Sequence, residues 1–127
     1  MDLKKILLVE DEPAIAALLQ DVLEEAGYQV DLAANGREGL RRLPVVRPDM
    51  VLSDVMMPVL DGRELCHAIN TNPHYQAIPV VLMSASREDQ CCQGCNCAAF
   101  LPKPFVLEEV VATIAQVLKQ DRCAAYR

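Results

Sequence analysis

Short runs of consecutive apolar residues recur along the chain, and each stops at a small or acidic side chain. Ile6-Leu7-Leu8-Val9 ends in Glu10-Asp11-Glu12-Pro13, Met50-Val51-Leu52 in Ser53-Asp54, and Val80-Val81-Leu82-Met83 in Ser84. Runs that are apolar on both faces and closed by turn residues predict buried strands of a parallel sheet. Residues 28–33 alternate instead, Tyr28, Val30 and Leu32 against Gln29 and Asp31, which predicts a more exposed strand. Residues 98–101 predict a short fifth strand.

Between these runs the apolar spacing turns helical. Pro13, behind a group of acids, suits a first helical position. Ile15, Leu18, Leu19, Val22, Leu23 and Ala26 then mark one inward face, and Gly27 ends the helix. Asn35 with Glu38 three residues on opens a second helix, which Pro44 is expected to stop. Asp61-Gly62 opens a third, with Leu65, Cys66 and Ile69 inward and Asn72-Pro73 closing it. Residues 87–93 predict a short fourth helix, broken by Gly94. Leu107, Val110, Val111, Ile114, Val117 and Leu118 mark the last, leaving residues 120–127 as a frayed tail. Five strands alternating with five helices mean parallel strands, right-handed crossovers and helices on both faces, a doubly wound α/β fold.

At 127 residues, 52% of them hydrophobic, the chain suits one domain over 1–127 with its core at about 4–119. No run reaches the ~18–20 apolar residues of a membrane span. Lys4-Lys5 precede too short an apolar run for a secretory signal, so a cytoplasmic location is expected. A net charge of −6 speaks against direct nucleic-acid binding.

In open α/β sheets ligands bind outside the carboxyl ends of the strands. Glu10 and Asp11 follow the first strand, Asp54 ends the third, Ser84 ends the fourth, and Lys103 follows the fifth. If the first and third strands are neighbours, three carboxylates converge. Their repulsion raises their pKa values unless a cation neutralises them. Oxygen-only ligands suit Mg²⁺. A metal beside one nucleophilic carboxylate, with a lysine and a hydroxyl opposite, is a set of parts for phosphoryl transfer. Plainer readings stand beside this one. Asp54 could cap a strand end, Glu10 and Asp11 could favour a helix N-terminus, Ser84 could be only a strand-end hydroxyl, and Lys103 an exposed loop cation. Phe100 could be an ordinary strand aromatic. His67 and His74 are expected at the surface, and Met56-Met57 in loop packing.

Taken in order, Val9-Glu10-Asp11-Glu12, Ser53-Asp54-Val55-Met56-Met57-Pro58 with Asp61-Gly62, Met83-Ser84-Ala85 and Lys103-Pro104-Phe105 resemble the receiver domain of two-component response regulators. The resemblance implies a flavodoxin-like five-stranded sheet of order 2-1-3-4-5. It implies that Asp54 accepts a phosphoryl group from a sensor histidine kinase or a histidine phosphotransfer protein. Glu10, Asp11, Asp54 and the Met56 backbone carbonyl would hold Mg²⁺, Lys103 and Ser84 would contact phosphoryl oxygens, and Phe100 would be the switch aromatic. The Lys103-Pro104 bond would be cis. The output surface would lie near the fourth helix, fifth strand and fifth helix.

The chain departs from the family between Ser84 and Lys103, where about one helical turn, 3–4 residues, is missing. The fourth helix is expected to be shortened, which bears on the Phe100 readout. Cys91, Cys92, Cys95 and Cys97 crowd the same stretch, and without a secretory signal free thiols are expected. Cys92 and Cys95 form one Cys-x-x-Cys, but no second pair stands at zinc spacing, and Cys66 and Cys123 are distant. A redox-sensing thiol is the other functional reading. A binding module that keeps the fold without productive phosphorylation is the main alternative to a switch. Turnover of an external substrate is disfavoured: a haloacid-dehalogenase-type phosphatase needs a second Asp where Met56 stands, and no Gly-rich phosphate loop follows the first strand.

Overall fold

The structure, a computed structural model, describes residues 3–85 and 96–125, with side chains as far as residue 119. Its elements are β1 (Lys5–Val9), α1 (Pro13–Glu25), β2 (Gln29–Ala33), α2 (Gly36–Val46), β3 (Met50–Asp54), α3 (Gly62–Asn70), β4 (Val80–Ser84), β5 (Ala99–Pro102) and α4 (Leu107–Ala125). All strand pairs are parallel, in the order β2-β1-β3-β4-β5. The expected doubly wound sheet is therefore present.

Strand side chains alternate between the two faces, and each face has its own core. Ile6 and Leu8 of β1, Met50 and Leu52 of β3, and Val81 and Met83 of β4 pack with Leu19 and Leu23 of α1 and Val110 and Ile114 of α4. On the other face Leu7, Val9, Val51, Val80 and Leu82 pack with Leu43 of α2 and Leu65, Cys66 and Ile69 of α3. The central strands are buried on both sides, which is why they read as unbroken apolar runs.

Three details differ from the expectations. Pro44 lies inside α2 instead of ending it; the helix runs to Val46 and closes with Arg47 in the left-handed region, φ 51°, its N–H donating to the Leu43 carbonyl. A proline near a helix end removes one hydrogen bond, and the buried Leu43 and Val46 hold the last turn regardless. α4 continues to Ala125, into the stretch expected to fray. Leu18 and the C-cap residue Ala26 are exposed, because α1 buries only the stripe Ala16, Leu19 and Leu23. The helix expected over 87–93, and with it the shortening of the fourth helix, lies outside the described residues.

Cys97 is disulfide-bonded, against the expectation of free thiols; Cys91, Cys92, Cys95 and Cys123, and with them the Cys-x-x-Cys reading, lie outside the described side chains. A disulfide needs two sulfurs brought within bonding reach by the fold, which the absence of a secretory signal does not report. Cys66 carries a thiol fully buried in the second core, where its S–H donates to Asn70 Oδ1 at 3.6 Å.

Candidate functional site

Strand register brings the sequence-predicted residues to one edge. Val9 stands beside Ser53, Asp54 beside Met83, and Ser84 beside Pro102. Glu10 and Asp11, one and two residues past β1, therefore arrive level with Asp54, and Lys103 arrives one residue past β5. Glu10 and Asp54 are only 4% and 6% exposed; Asp11 faces solvent. One oxygen from each of the three carboxylates lies within 4.8 Å of the others. Lys103 reaches across both buried acids, its Nζ 3.1 Å from Asp54 Oδ1 and 3.3 Å from Glu10 Oε1.

Backbone geometry fixes these side chains. The Asp11 N–H donates to Glu10 Oε2 at 3.0 Å, which orients the buried carboxylate. The Lys103 N–H donates to the Ser84 carbonyl at 2.9 Å, and the Lys103-Pro104 bond is cis. Ser84 is buried at the end of β4, and Phe100 is half-buried against the second core. Met56 is 70% exposed on the loop after Asp54.

That loop is tied at both ends. The Gly62 N–H donates to the Val55 carbonyl at 2.9 Å, and the Gly36 N–H to the Leu60 carbonyl at 3.0 Å. A Cβ on Gly62 would collide with the Asp54 carbonyl, and one on Gly36 with that of Leu60. Asp61 caps α3 by accepting from the Glu64 N–H at 2.9 Å, while the Glu64 carboxylate accepts from the Asp61 N–H at 3.1 Å.

Charge follows burial. Glu10 is pushed up from 4.5 to about 7, first by burial and then by the Asp54 carboxylate, with Lys103 opposing. Asp54 is also raised, by burial first, against the pull of Lys103. Burial drags Lys103 down, but the Asp54 and Glu10 carboxylates outweigh it and leave its pKa raised. Two raised carboxylates mean that one lysine does not neutralise the cleft. An all-oxygen, under-neutralised, partly solvent-open cluster fits a hard divalent cation such as Mg²⁺.

Sequence reasoning missed two features. Ser53 is fully buried and its Oγ donates to the Asp54 carbonyl at 2.9 Å, bracing the strand end. Val59 has a φ of 73°. No sequence signal marks it, since valine disfavours that conformation.

An open parallel sheet with an acidic, lysine-bridged cleft at the β1/β3 switch point defines the class of doubly wound α/β domains, which bind their ligands at that edge. Comparison with known proteins then places the chain. A family model described as the response regulator receiver domain matches residues 6–115. The chain belongs to that family, whose members act in two-component signalling. It is 36% identical over 125 residues to the alkaline phosphatase synthesis transcriptional regulatory protein PhoP of Bacillus subtilis (strain 168), covering 96% of this chain and 51% of that protein. The chain spans about half the length of the curated relatives it matches. Among solved structures, the receiver domain of a signal transduction histidine kinase from Syntrophus aciditrophicus superposes with a TM-score of 0.86 at 36% identity, covering 92% of this chain and 91% of that one. The receiver domain of a sensor histidine kinase from Pseudomonas aeruginosa PAO1, solved with a magnesium ion in its active site cleft, gives 0.85 at 28% identity, covering 93% and 99%.

Proposed function

We propose that this chain is the phosphoacceptor switch of a two-component or phosphorelay system, with Asp54 as the acceptor. The observation that carries the reading is Lys103 Nζ bridging two buried carboxylates, 3.1 Å from Asp54 and 3.3 Å from Glu10. An ammonium held there can meet a phosphoryl oxygen on Asp54 and balance its charge. The donor is the phosphohistidine of a sensor histidine kinase or a histidine phosphotransfer protein. An Asp54 oxygen attacks the phosphorus, the phosphorus–nitrogen bond breaks, and its electron pair leaves with the imidazole. Ser84 offers a hydroxyl to a second phosphoryl oxygen at the same sheet edge.

Glu10, Asp11, Asp54 and the Met56 backbone carbonyl would hold Mg²⁺, whose charge offsets that of the carboxylates and the incoming phosphoryl group. The residues fit that role by donor type, proximity and their unbalanced charge. The magnesium-bearing cleft of the Pseudomonas aeruginosa domain supports it. The added charge and acceptor oxygens shift a two-state surface, read out around β5, α4 and Phe100. The chain turns over no external substrate; slow loss of its own phosphoryl group resets it. A cytoplasmic setting follows from its partners, and no described helix is long and apolar enough to cross a membrane.

The test is incubation with Mg²⁺ and acetyl phosphate, followed by intact mass. One phosphoryl adduct is expected on the wild type, and none on Asp54→Asn or with a chelator. A folded protein that takes no phosphoryl group from acetyl phosphate or from a histidine-phosphorylated donor would instead be a binding module on this fold.

A further inference from the structure

Phosphoryl acceptance does not explain Val59. Its φ of 73° puts a β-branched side chain in the left-handed region that favours glycine. It is the centre of a three-residue turn closed by the Leu60 N–H donating to the Pro58 carbonyl at 2.8 Å. With positive φ at the centre, this is the rare and strained form of the γ-turn. The Val59 side chain is 70% exposed, so packing contributes little to holding it there. The ties lie at the ends of the loop, at Gly62 with Val55 and at Gly36 with Leu60, and at both glycines the backbone packs so closely that a Cβ would collide with a neighbouring carbonyl. Strain of this kind persists where the surroundings over-determine it. Here it is concentrated on one largely unpacked residue, in the loop that begins at the acceptor carboxylate.

We propose that Val59 is a positioning residue for the cation and phosphoryl cleft. It poises the loop over residues 56–60 between the turned arrangement and a relaxed one with negative φ at Val59, and a cation in the cleft selects the turned one. The inference rests on the phosphoacceptor reading, in which the Met56 carbonyl joins Glu10, Asp11 and Asp54. Reversing φ at Val59 rotates the adjoining peptides and opens the Leu60–Pro58 hydrogen bond, so the short chain back to Met56 moves with it. A cation that needs the turned loop then binds with an affinity reduced by the fraction of molecules already turned. Glycine or asparagine at this position removes that penalty, because both tolerate the left-handed region. Isoleucine keeps it.

The experiment titrates Mg²⁺ alone into the whole chain, followed by backbone amide shifts, for wild type, Val59→Gly, Val59→Asn and Val59→Ile. Val59→Gly and Val59→Asn are expected to bind Mg²⁺ at least about threefold more tightly than wild type, and Val59→Ile within a factor of about two. Amides of residues 56–60, exchange-broadened in the wild type without Mg²⁺, are expected to sharpen in Val59→Gly. An equal Mg²⁺ affinity in Val59→Gly and wild type would overturn the proposal, even if the glycine variant unfolds at higher urea. That result would leave the strain as a burden on folding alone. Absence of any Mg²⁺-dependent shift at Glu10, Asp11 and Asp54 in the wild type is a different failure, seen before any variant is made. It would remove the phosphoacceptor reading and this inference with it.

Discussion

Lys103 holds two buried carboxylates within ion-pair distance, yet burial keeps both above their ordinary pKa. The sign of the pH dependence follows. Between about pH 4.5 and 7 the folded state keeps a proton on Glu10 that the unfolded chain gives up, so the Glu10 contribution to stability falls as pH rises through that window and is constant below it. Asp54 acts in the same direction, while the contribution of Lys103 persists until its own raised pKa is passed. Urea midpoints without divalent cations are therefore expected to be lower at pH 8 than at pH 5. Asp54→Asn, which removes one of the repelling charges, is expected to raise the pH 8 midpoint. At Gly62 any side chain meets the Asp54 carbonyl, and Gly62→Ala is expected to cost about 1–3 kcal/mol by urea denaturation. The convergence of Glu10, Asp11, Asp54 and Lys103 was legible because each stands at the carboxyl end of a strand run, and those ends share one sheet edge. Val59 and Ser53 were not. A positive φ is imposed by the ties at either end of a loop, and a strand serine looks the same whether or not it braces its neighbour.

At the scale of elements, the strands were read within a residue or two because parallel strands are buried on both faces. Two helices, α2 and α3, were read by their caps, and α1 and α4 by apolar spacing. Asn35 accepts from the Glu38 N–H at 2.9 Å as its spacing suggested, and Asn35→Ala is expected to lose about 1 kcal/mol. The far end of α2 was misread because proline as a stop signal competes with burial, and Leu43 and Val46 are buried. Pro44→Ala restores a helical N–H there. It is expected to stabilise the fold by about 1–2 kcal/mol, the helix gain less the freedom returned to the unfolded chain. The same denaturant midpoints check both variants.

For the whole molecule, two cores on either side of one sheet lock β1 and β3 side by side, and that adjacency makes the acids converge. Strand order could be expected only through family resemblance, since periodicity assigns strands but not neighbours. The disulfide at Cys97 was not legible, because composition speaks of the compartment and not of which sulfurs meet. A cation bound only by the folded cleft raises the stability of the entire domain by mass action. Millimolar Mg²⁺ is thus expected to lift the melting temperature more at pH 8, where Glu10 is ionised, than at pH 5; an equal lift would argue against binding at Glu10.

Lys103 and Glu10 touch across 93 residues of sequence. During synthesis the acids of β1 and β3 leave the ribosome long before the lysine that offsets part of their charge. A chain lacking β5 carries the three carboxylates without the ammonium that bridges two of them. The bridged state of the cleft is thereby a property of the complete fold, reached only once the last strand has docked on β4.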